Sequence, residues 1–249
     1  MTIIACYSNK GGVGKTAASV NLAHAWAQSG ARTLLCDLDP QGASSFYFRI
    51  KPSKKLTEAR FFEDVERFTK AIRGSDFDNL DILPANMSFR DFDVFLSRMS
   101  NSRSRLKKAL KGVGSDYDMI VLDCPPNIST LSENVFRAAK RIAVPVVPTT
   151  LSERTFEQMV AFFRDEGLNK RKLMPFFSMV EARKSLHRDT MERMRAAYPG
   201  VFLDSAIPYS TDVERMGLHR APVASFAPER PAGVAFRALW AELDVRLGR

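Results

Sequence analysis

Apolar residues gather in short continuous runs at 3–7, 33–38, 80–84, 119–123, 142–148, 173–180 and 202–208. Between most of them the apolar positions recur with a helical period. Unbroken apolar runs of this length predict strands buried on both faces, and their alternation with amphipathic helices predicts a mostly parallel twisted sheet covered by helices on both faces. In such α/β folds ligands bind at the carboxyl ends of the strands. No internal repeat, low-complexity tract or proline-rich linker divides the chain, so residues 1–249 are expected to form a single domain.

The first run is followed at once by Lys10-Gly11-Gly12-Val13-Gly14-Lys15-Thr16, and residues 17–27 continue as a helix. Strand, glycine-rich turn and helix in that order make a phosphate cradle. Gly11, Gly12 and Gly14 let the backbone turn its N–H groups inward, and the helix presents its positive end to an anion. Lys15 is placed for the β- and γ-phosphates and the Thr16 hydroxyl for Mg²⁺. The ordinary pattern G-x-x-x-x-G-K-[ST] requires glycine where this chain has Asn9, and Lys10 is an additional cation.

Two further strand ends carry carboxylates. In Asp37-Leu38-Asp39-Pro40-Gln41-Gly42 the i, i+2 spacing predicts that Asp37 and Asp39 face the same side. There Asp39 would hold an attacking water and Asp37 would position Mg²⁺ through its water shell. The run 119–123 ends in Asp123 before Cys124-Pro125-Pro126, the form of a Walker B strand, and the two prolines turn the chain away at the nucleotide edge. Read alone, each of these ends is also an ordinary polar strand terminus, and Lys10 is also a local phosphate contact or a solvated loop lysine.

Composition narrows the setting. The net charge of +9 fits a protein that meets polyanions, and the excess is uneven. Residues 49–111 carry fifteen basic and nine acidic residues, while 98–111 hold Arg98, Arg103, Arg105, Lys107, Lys108 and Lys111 without an acid, on an expected helix that is either a solvated face or a polyanion surface. Cys6, Cys36 and Cys124 have no metal-ligand spacing and read as buried thiols of a reducing compartment. No apolar segment is long enough to span a bilayer, and the first residues begin a strand rather than a signal peptide, so a cytoplasmic location is expected.

With these motifs in view, the chain resembles the ParA/MinD family of deviant Walker P-loop ATPases over nearly its whole length. The resemblance rests on residues 10–16, Asn21-Leu22-Ala23, the Asp37–Gly42 motif, Leu83-Pro84-Ala85-Asn86, Asp116-Tyr117-Asp118 and Asp123-Cys124-Pro125-Pro126, with Ile207-Pro208 and Pro222-Val223 nearer the end. It implies a P-loop NTPase fold with ATP and Mg²⁺ as cofactors. Lys10 would be the signature lysine that reaches the phosphates bound by a second subunit, so that a homodimer forms on ATP. Gly11 to Ala17 would hold the phosphates, Asp39 the hydrolytic water, Thr16, Asp37 and Asp123 the magnesium, and Pro208 and Tyr209 would lie near the base.

Departures from the family limit what carries over. Ala17 stands where many relatives have a second threonine. Tyr209 and Asp212 stand where many partition relatives are basic, so candidate DNA contacts come from this chain's own cations: Lys170, Arg171, Lys172, Arg183, Lys184, Arg188, Arg193, Arg195, Arg215 and Arg220. The first strand starts too early for a preceding helix-turn-helix domain, which points to nonspecific binding of the nucleoid. A ParB-like or cargo-adaptor protein would stimulate hydrolysis. A MinD-like membrane role is the alternative, because Phe236, Leu239, Trp240, Leu243 and Leu247 form an apolar helix stripe; Glu242 and Asp244 interrupt its polar face and favour a packed helix. A metabolic P-loop enzyme is a further alternative, against which Lys10 argues. An iron–sulfur role lacks a suitably placed cysteine after Cys124.

Overall fold

The computed structural model describes residues 1–52 and 56–248. Lys54 and Lys55 of the basic segment, and Arg249, lie outside the described residues. In chain order the first half comprises β1 (Thr2–Cys6), α1 (Lys15–Gln28), β2 (Thr33–Asp37), α2 (Ala43–Tyr47), α3 (Glu58–Glu63), α4 (Val65–Ala71), β3 (Arg73–Gly74), β4 (Leu80–Leu83), α5 (Phe92–Ser97) and α6 (Arg105–Lys111). The second half comprises β5 (Met119–Asp123), α7 (Thr130–Ala138), β6 (Arg141–Val146), α8 (Thr150–Asp165), β7 (Leu173–Val180), α9 (Ser185–Ala197), β8 (Ala206–Pro208), α10 (Thr211–His219), α11 (Val223–Phe226) and α12 (Pro231–Leu247).

These strands form one sheet in the order β3-β4-β2-β5-β1-β6-β7-β8, parallel throughout except for β3. The connection from β1 to β2 leaves in one direction while β6, β7 and β8 extend in the other, which opens a crevice at the carboxyl end of β1 where the glycine loop begins. Alternation along β1 sends Ile3 and Ala5 into one hydrophobic core and Ile4 and Cys6 into another. The first core packs α3 to α9 against one face of the sheet, and the second packs α1 and α10 to α12 against the other. The apolar runs are therefore continuous because neither face meets water.

The structure departs from the sequence pattern in three places. The last strand is three residues long: Phe202 and Leu203 are buried before it, and the Leu203 N–H donates to the Pro175 carbonyl at 2.8 Å without extending the ladder. The two-residue antiparallel β3 has no counterpart among the expected strands; its exposed residues leave no periodic signal. Residues 98–111 are not one helix, because α5 ends at Ser97, Asn101 takes a left-handed φ of 54° and α6 starts only at Arg105.

The α12 stripe is packed rather than displayed, with Phe236, Leu239, Leu243 and Leu247 all buried. Among the described residues no helix is long and apolar enough to cross a membrane. Cys6, Cys36 and Cys124 are free and buried, and burial pushes the Cys6 thiol up to about 12.

One buried group ties stability to pH. His24 on α1 packs edge-on against Phe77 at 4.8 Å, its Nδ1 has no hydrogen-bond partner, and burial lowers its pKa from 6.5 to about 4. Below pH 6.5 the unfolded chain takes up a proton that the folded chain refuses, so the stability contributed by neutral His24 is lost as pH falls towards 4. Urea unfolding at pH 7 and pH 5 is expected to show a larger loss in the wild type than in His24→Leu. Equal losses would mean that His24 is not the sensor.

Candidate functional site

The glycine loop folds as its residue types require. Gly12 and Gly14 have φ of 69° and 96°, and a Cβ on Gly14 would lie 2.9 Å from Ser178 Oγ, so conformation and space both demand glycine there. Gly14 caps α1 without any side-chain hydrogen bond, and the first turn of this 14-residue helix contains no acid. Its leading N–H groups are thus left for an external acceptor, the arrangement that binds phosphate.

A cavity of about 390 Å³ opens beside this helix end. Gly11 to Ala17 and Asp39 line one part of it, and Ile207, Pro208, Tyr209 and Ser210 line another. Residues far apart in sequence are brought together here because β1 and β8 both end at the same sheet edge. Sequence reasoning gave no cavity role to Phe176, Met179, Val213, Glu214 or Phe236, which also line the cavity but carry no motif. The Tyr209 hydroxyl donates to Glu214 Oε1 at 3.1 Å, which fixes the ring at the cavity mouth.

Lys15 is buried, and its Nζ donates to the Lys10 carbonyl at 3.0 Å. Burial lowers the pKa of this amine, while the charges of Asp123 and Asp39 oppose that shift. Lys10 is different: it does not line the nucleotide-sized cavity, and its Nζ donates to Ser152 Oγ at 3.1 Å at the start of α8. The loop therefore presents one lysine to its own cavity and holds the other outside it.

The two carboxylates of the Asp37–Gly42 motif do not share a side. β2 ends at Asp37, so strand alternation does not extend to Asp39. Asp39 lines the cavity, and its Oδ1 accepts from Gln41 N at 3.0 Å. Asp37 is fully buried away from the cavity lining, with Oδ2 accepting from Ser45 N at 2.8 Å and Ser45 Oγ at 2.7 Å, while Oδ1 has no partner.

Asp37 pairs in register with Asp123 across β2 and β5. Burial, then the charge of Asp123, pushes the Asp37 carboxyl up to about 8. Asp123 is also raised by burial, against hydrogen bonds from Ser44, Thr16 and Ser19; Ser44 Oγ lies 2.7 Å from its Oδ2 and Ser19 Oγ 3.0 Å from its Oδ1. Ser19 thus supports the carboxylate rather than replacing the hydroxyl missing at Ala17.

Two buried acids side by side, one with an unpartnered oxygen, fit a site that gains stability from a nearby cation. No group of three or more His, Cys, Asp or Glu among the described residues forms a metal cage. Magnesium keeps much of its water shell and takes few protein carboxylates. Ser19, Ser44 and Ser45 had no motif of their own. Their signal was position: Ser19 follows Lys15 by one helical turn, and the serine pair follows the acidic motif after one intervening alanine.

Most of the ten candidate DNA contacts are engaged within the chain. Arg193 pairs with Glu153 at 2.7 Å, Arg188 with Asp189 at 3.5 Å, and Arg215 with buried Asp212 at 3.5 Å. Lys184 pairs with Glu181, Arg220 lies over the Phe46 ring, and Arg195 lies over Phe177. Arg183 is exposed. Lys172 caps the end of α7, donating to Phe136 O at 2.8 Å, whereas Lys170 and Arg171 are exposed beside it.

Comparison with known proteins identifies the family and the fold. A family model described as an AAA domain matches residues 1–174. The chain is 31% identical to the virulence plasmid ParA family protein pGP5-D of Chlamydia psittaci, covering 99% of this chain and 96% of that protein. It is 29% identical to the sporulation initiation inhibitor protein Soj of Bacillus subtilis, covering 91% of each. Among solved structures, cobyrinic acid a,c-diamide synthase from Mycobacterium smegmatis, with bound ATP analog and magnesium, superposes with a TM-score of 0.85 at 25% identity, covering 100% of this chain and 97% of that one. A deviant glycine loop at the head of a doubly covered parallel sheet, and full-length likeness to a ParA family protein, mark this chain as a member of the ParA/MinD family of P-loop ATPases.

Proposed function

We propose that this single-domain protein binds ATP and Mg²⁺, dimerises in the ATP state, holds duplex DNA without sequence preference and positions a cargo, and that a partner protein stimulates hydrolysis to release the hold. The observation that carries this reading is the placement of Lys10 beside, but not in, its own cavity. A cation of that kind serves a second copy: on leaving Ser152 it meets the partner's phosphates, where it gains most when the phosphate charge is greatest.

In this reading the N–H groups of the loop and Lys15 hold the phosphates, Thr16 faces the metal, Asp123 behind the cavity lining reaches it through a coordinated water, and Asp37 supports Asp123 from the adjacent strand. Bound magnesium neutralises phosphate charge. Asp39 orients the water, while Pro208 and Tyr209 flank the base. The ATP analog and magnesium bound by the Mycobacterium smegmatis relative support the cofactor assignment. The buried stripe of α12 favours action in the cytoplasm on the nucleoid over a membrane role.

Joining two cationic surfaces in one dimer multiplies phosphate contacts and steepens the dependence on salt. Retention on random-sequence DNA is expected to be strong with ATP and weak with ADP or no nucleotide; equal retention in all three states would overturn the reading. Lys10→Ala is expected to bind ATP yet remain monomeric by light scattering, and a normal ATP dimer would remove the cross-subunit role. Turnover that saturates with a small-molecule acceptor would favour a metabolic enzyme instead.

A further inference from the structure

We propose that the edge of the sheet opposite the glycine loop, at the amino ends of β6 and β7, is the face that holds the DNA backbone, through Lys107, Arg137, Arg141, Lys170, Arg171 and Arg246. This inference rests on the proposed DNA binding and assigns its surface.

The topology gathers these cations from four separate regions of the chain. Lys107 lies on α6, which leads into β5; Arg137 ends α7, which leads into β6; Arg141 opens β6; Lys170 and Arg171 immediately precede β7; and Arg246 ends α12. Arg141, Lys170, Arg171 and Arg246 line one opening of about 450 Å³, and no carboxylate lines it. Lys172 reports the same crowding from within: burial lowers its pKa, and the charges of Lys107, Arg137 and Arg141 lower it further.

Ion pairing separates this edge from the rest of the surface. Near the glycine loop the cations are largely neutralised, Lys184 by Glu181, Arg193 by Glu153, and both Arg215 and Arg230 by Asp212. At the opposite edge, among the described residues, Lys107, Arg137, Arg141, Lys170 and Arg171 have no carboxylate within 4.0 Å. Nearby acids are already engaged: Glu166 and Glu133 with Arg103, and Asp165 with Arg164. Glu242 is 3.8 Å from Arg246 but also accepts from Asp204 N and Ser205 N. The Nε atoms of Arg137 and Arg141 are buried without a hydrogen-bond partner.

Like charges crowded without counter-charge destabilise the folded chain, and an external polyanion removes that cost. Sequence-independent recognition of DNA needs this arrangement, because phosphates are read as charge and each neutralised phosphate releases counterions. A lipid surface fits less well. Interfacial binding also requires inserted apolar groups, and Val245 is the one large apolar residue exposed beside Arg246 in α12.

The test is fluorescence anisotropy of a labelled random-sequence duplex, with ATP and full-length protein, across a potassium chloride series. Lys170→Glu/Arg171→Glu, both on exposed positions, is expected to weaken binding about tenfold or more and to lower the salt slope by about 0.9 for each phosphate that the variant fails to neutralise. Lys107→Glu, on a different helix, is expected to act in the same direction. Arg188→Ala/Arg193→Ala should bind as wild type does. Unchanged basal ATP hydrolysis in the charge-reversed variants verifies that they fold.

If wild type binds with ATP and both reversed variants keep its affinity and slope, the assigned face is wrong while the function stands. If wild type shows no ATP-dependent DNA binding, the functional reading fails and this inference with it. Retention on phosphatidylglycerol vesicles in place of DNA, abolished in the same variants, would overturn DNA as the occupant.

Discussion

Asp39→Ala is expected to lower ATP turnover by about 100-fold or more while leaving nucleotide binding nearly intact, because a carboxylate that orients the attacking water acts on the transition state rather than on the bound ground state. Asp39 is suited to this part: it lines the cavity with Lys15 and the glycine loop, and the Gln41 N–H fixes one of its oxygens, leaving the other to accept from water. Asp37 and Asp123 are fully buried and do not line the cavity, so neither can do the same. Asp39→Asn keeps the Gln41 contact and the side-chain shape, so comparing the two variants separates charge from position. Phosphate release reads turnover, and binding of a fluorescent ATP analogue reads affinity. Under the proposed function release from DNA depends on hydrolysis, so the Asp39→Ala protein should also stay on DNA after ATP is added. Wild-type turnover in Asp39→Ala would remove this residue from the chemistry.

Gly233→Ala is expected to destabilise the protein by about 3 kcal/mol, an overpacking cost at its upper end. Gly233 lies in the first turn of α12, and a Cβ there would sit 2.3 Å from the Ala227 carbonyl oxygen and 2.7 Å from that of Pro228. Both obstacles are backbone atoms, so relief requires moving either the helix or the turn before it. The helix cannot move freely, because Phe236, Leu239 and Leu243 anchor it in the core that also holds α1. For a chain of this size such a loss lowers Tm by about 6–12 °C, measurable by calorimetry. Phe236 also lines the nucleotide cavity, so ATP affinity should fall together with stability. An unchanged Tm would show that the turn at Ala227 and Pro228 yields cheaply.

The glycine loop, the two acidic strand ends and the alternating architecture were legible because each is a local pattern. Gly12, Gly14 and Lys15 are constrained by their own φ values and immediate neighbours. Less legible was anything that depended on where a strand stops. Spacing alone put Asp37 and Asp39 on one side, but β2 ends at Asp37 and the two acids part, one into the core and one into the cavity. The serines that hold Asp37 and Asp123 carry no motif, since a hydroxyl becomes informative only beside the buried charge that it satisfies.

The charge pattern shows the same division. Sequence made the basic stretch 98–111 a candidate polyanion surface and counted residues 170–172 among ten candidate DNA contacts. Folding split the first at Asn101, set Lys172 onto the carbonyls that end α7, and brought Lys107 close enough to Arg137 and Arg141 for all three to act on Lys172. It also neutralised most of the cations near the nucleotide edge. By itself, then, the sequence determined the sheet, the phosphate loop and the extra lysine, because strand burial, glycine conformation and hydrogen-bond spacing act within a few residues. Only the tertiary structure decided which carboxylate meets the cavity, where Lys10 rests and which cations lack a counter-charge. Those outcomes depend on contacts between segments far apart along the chain, and a one-dimensional pattern does not record them.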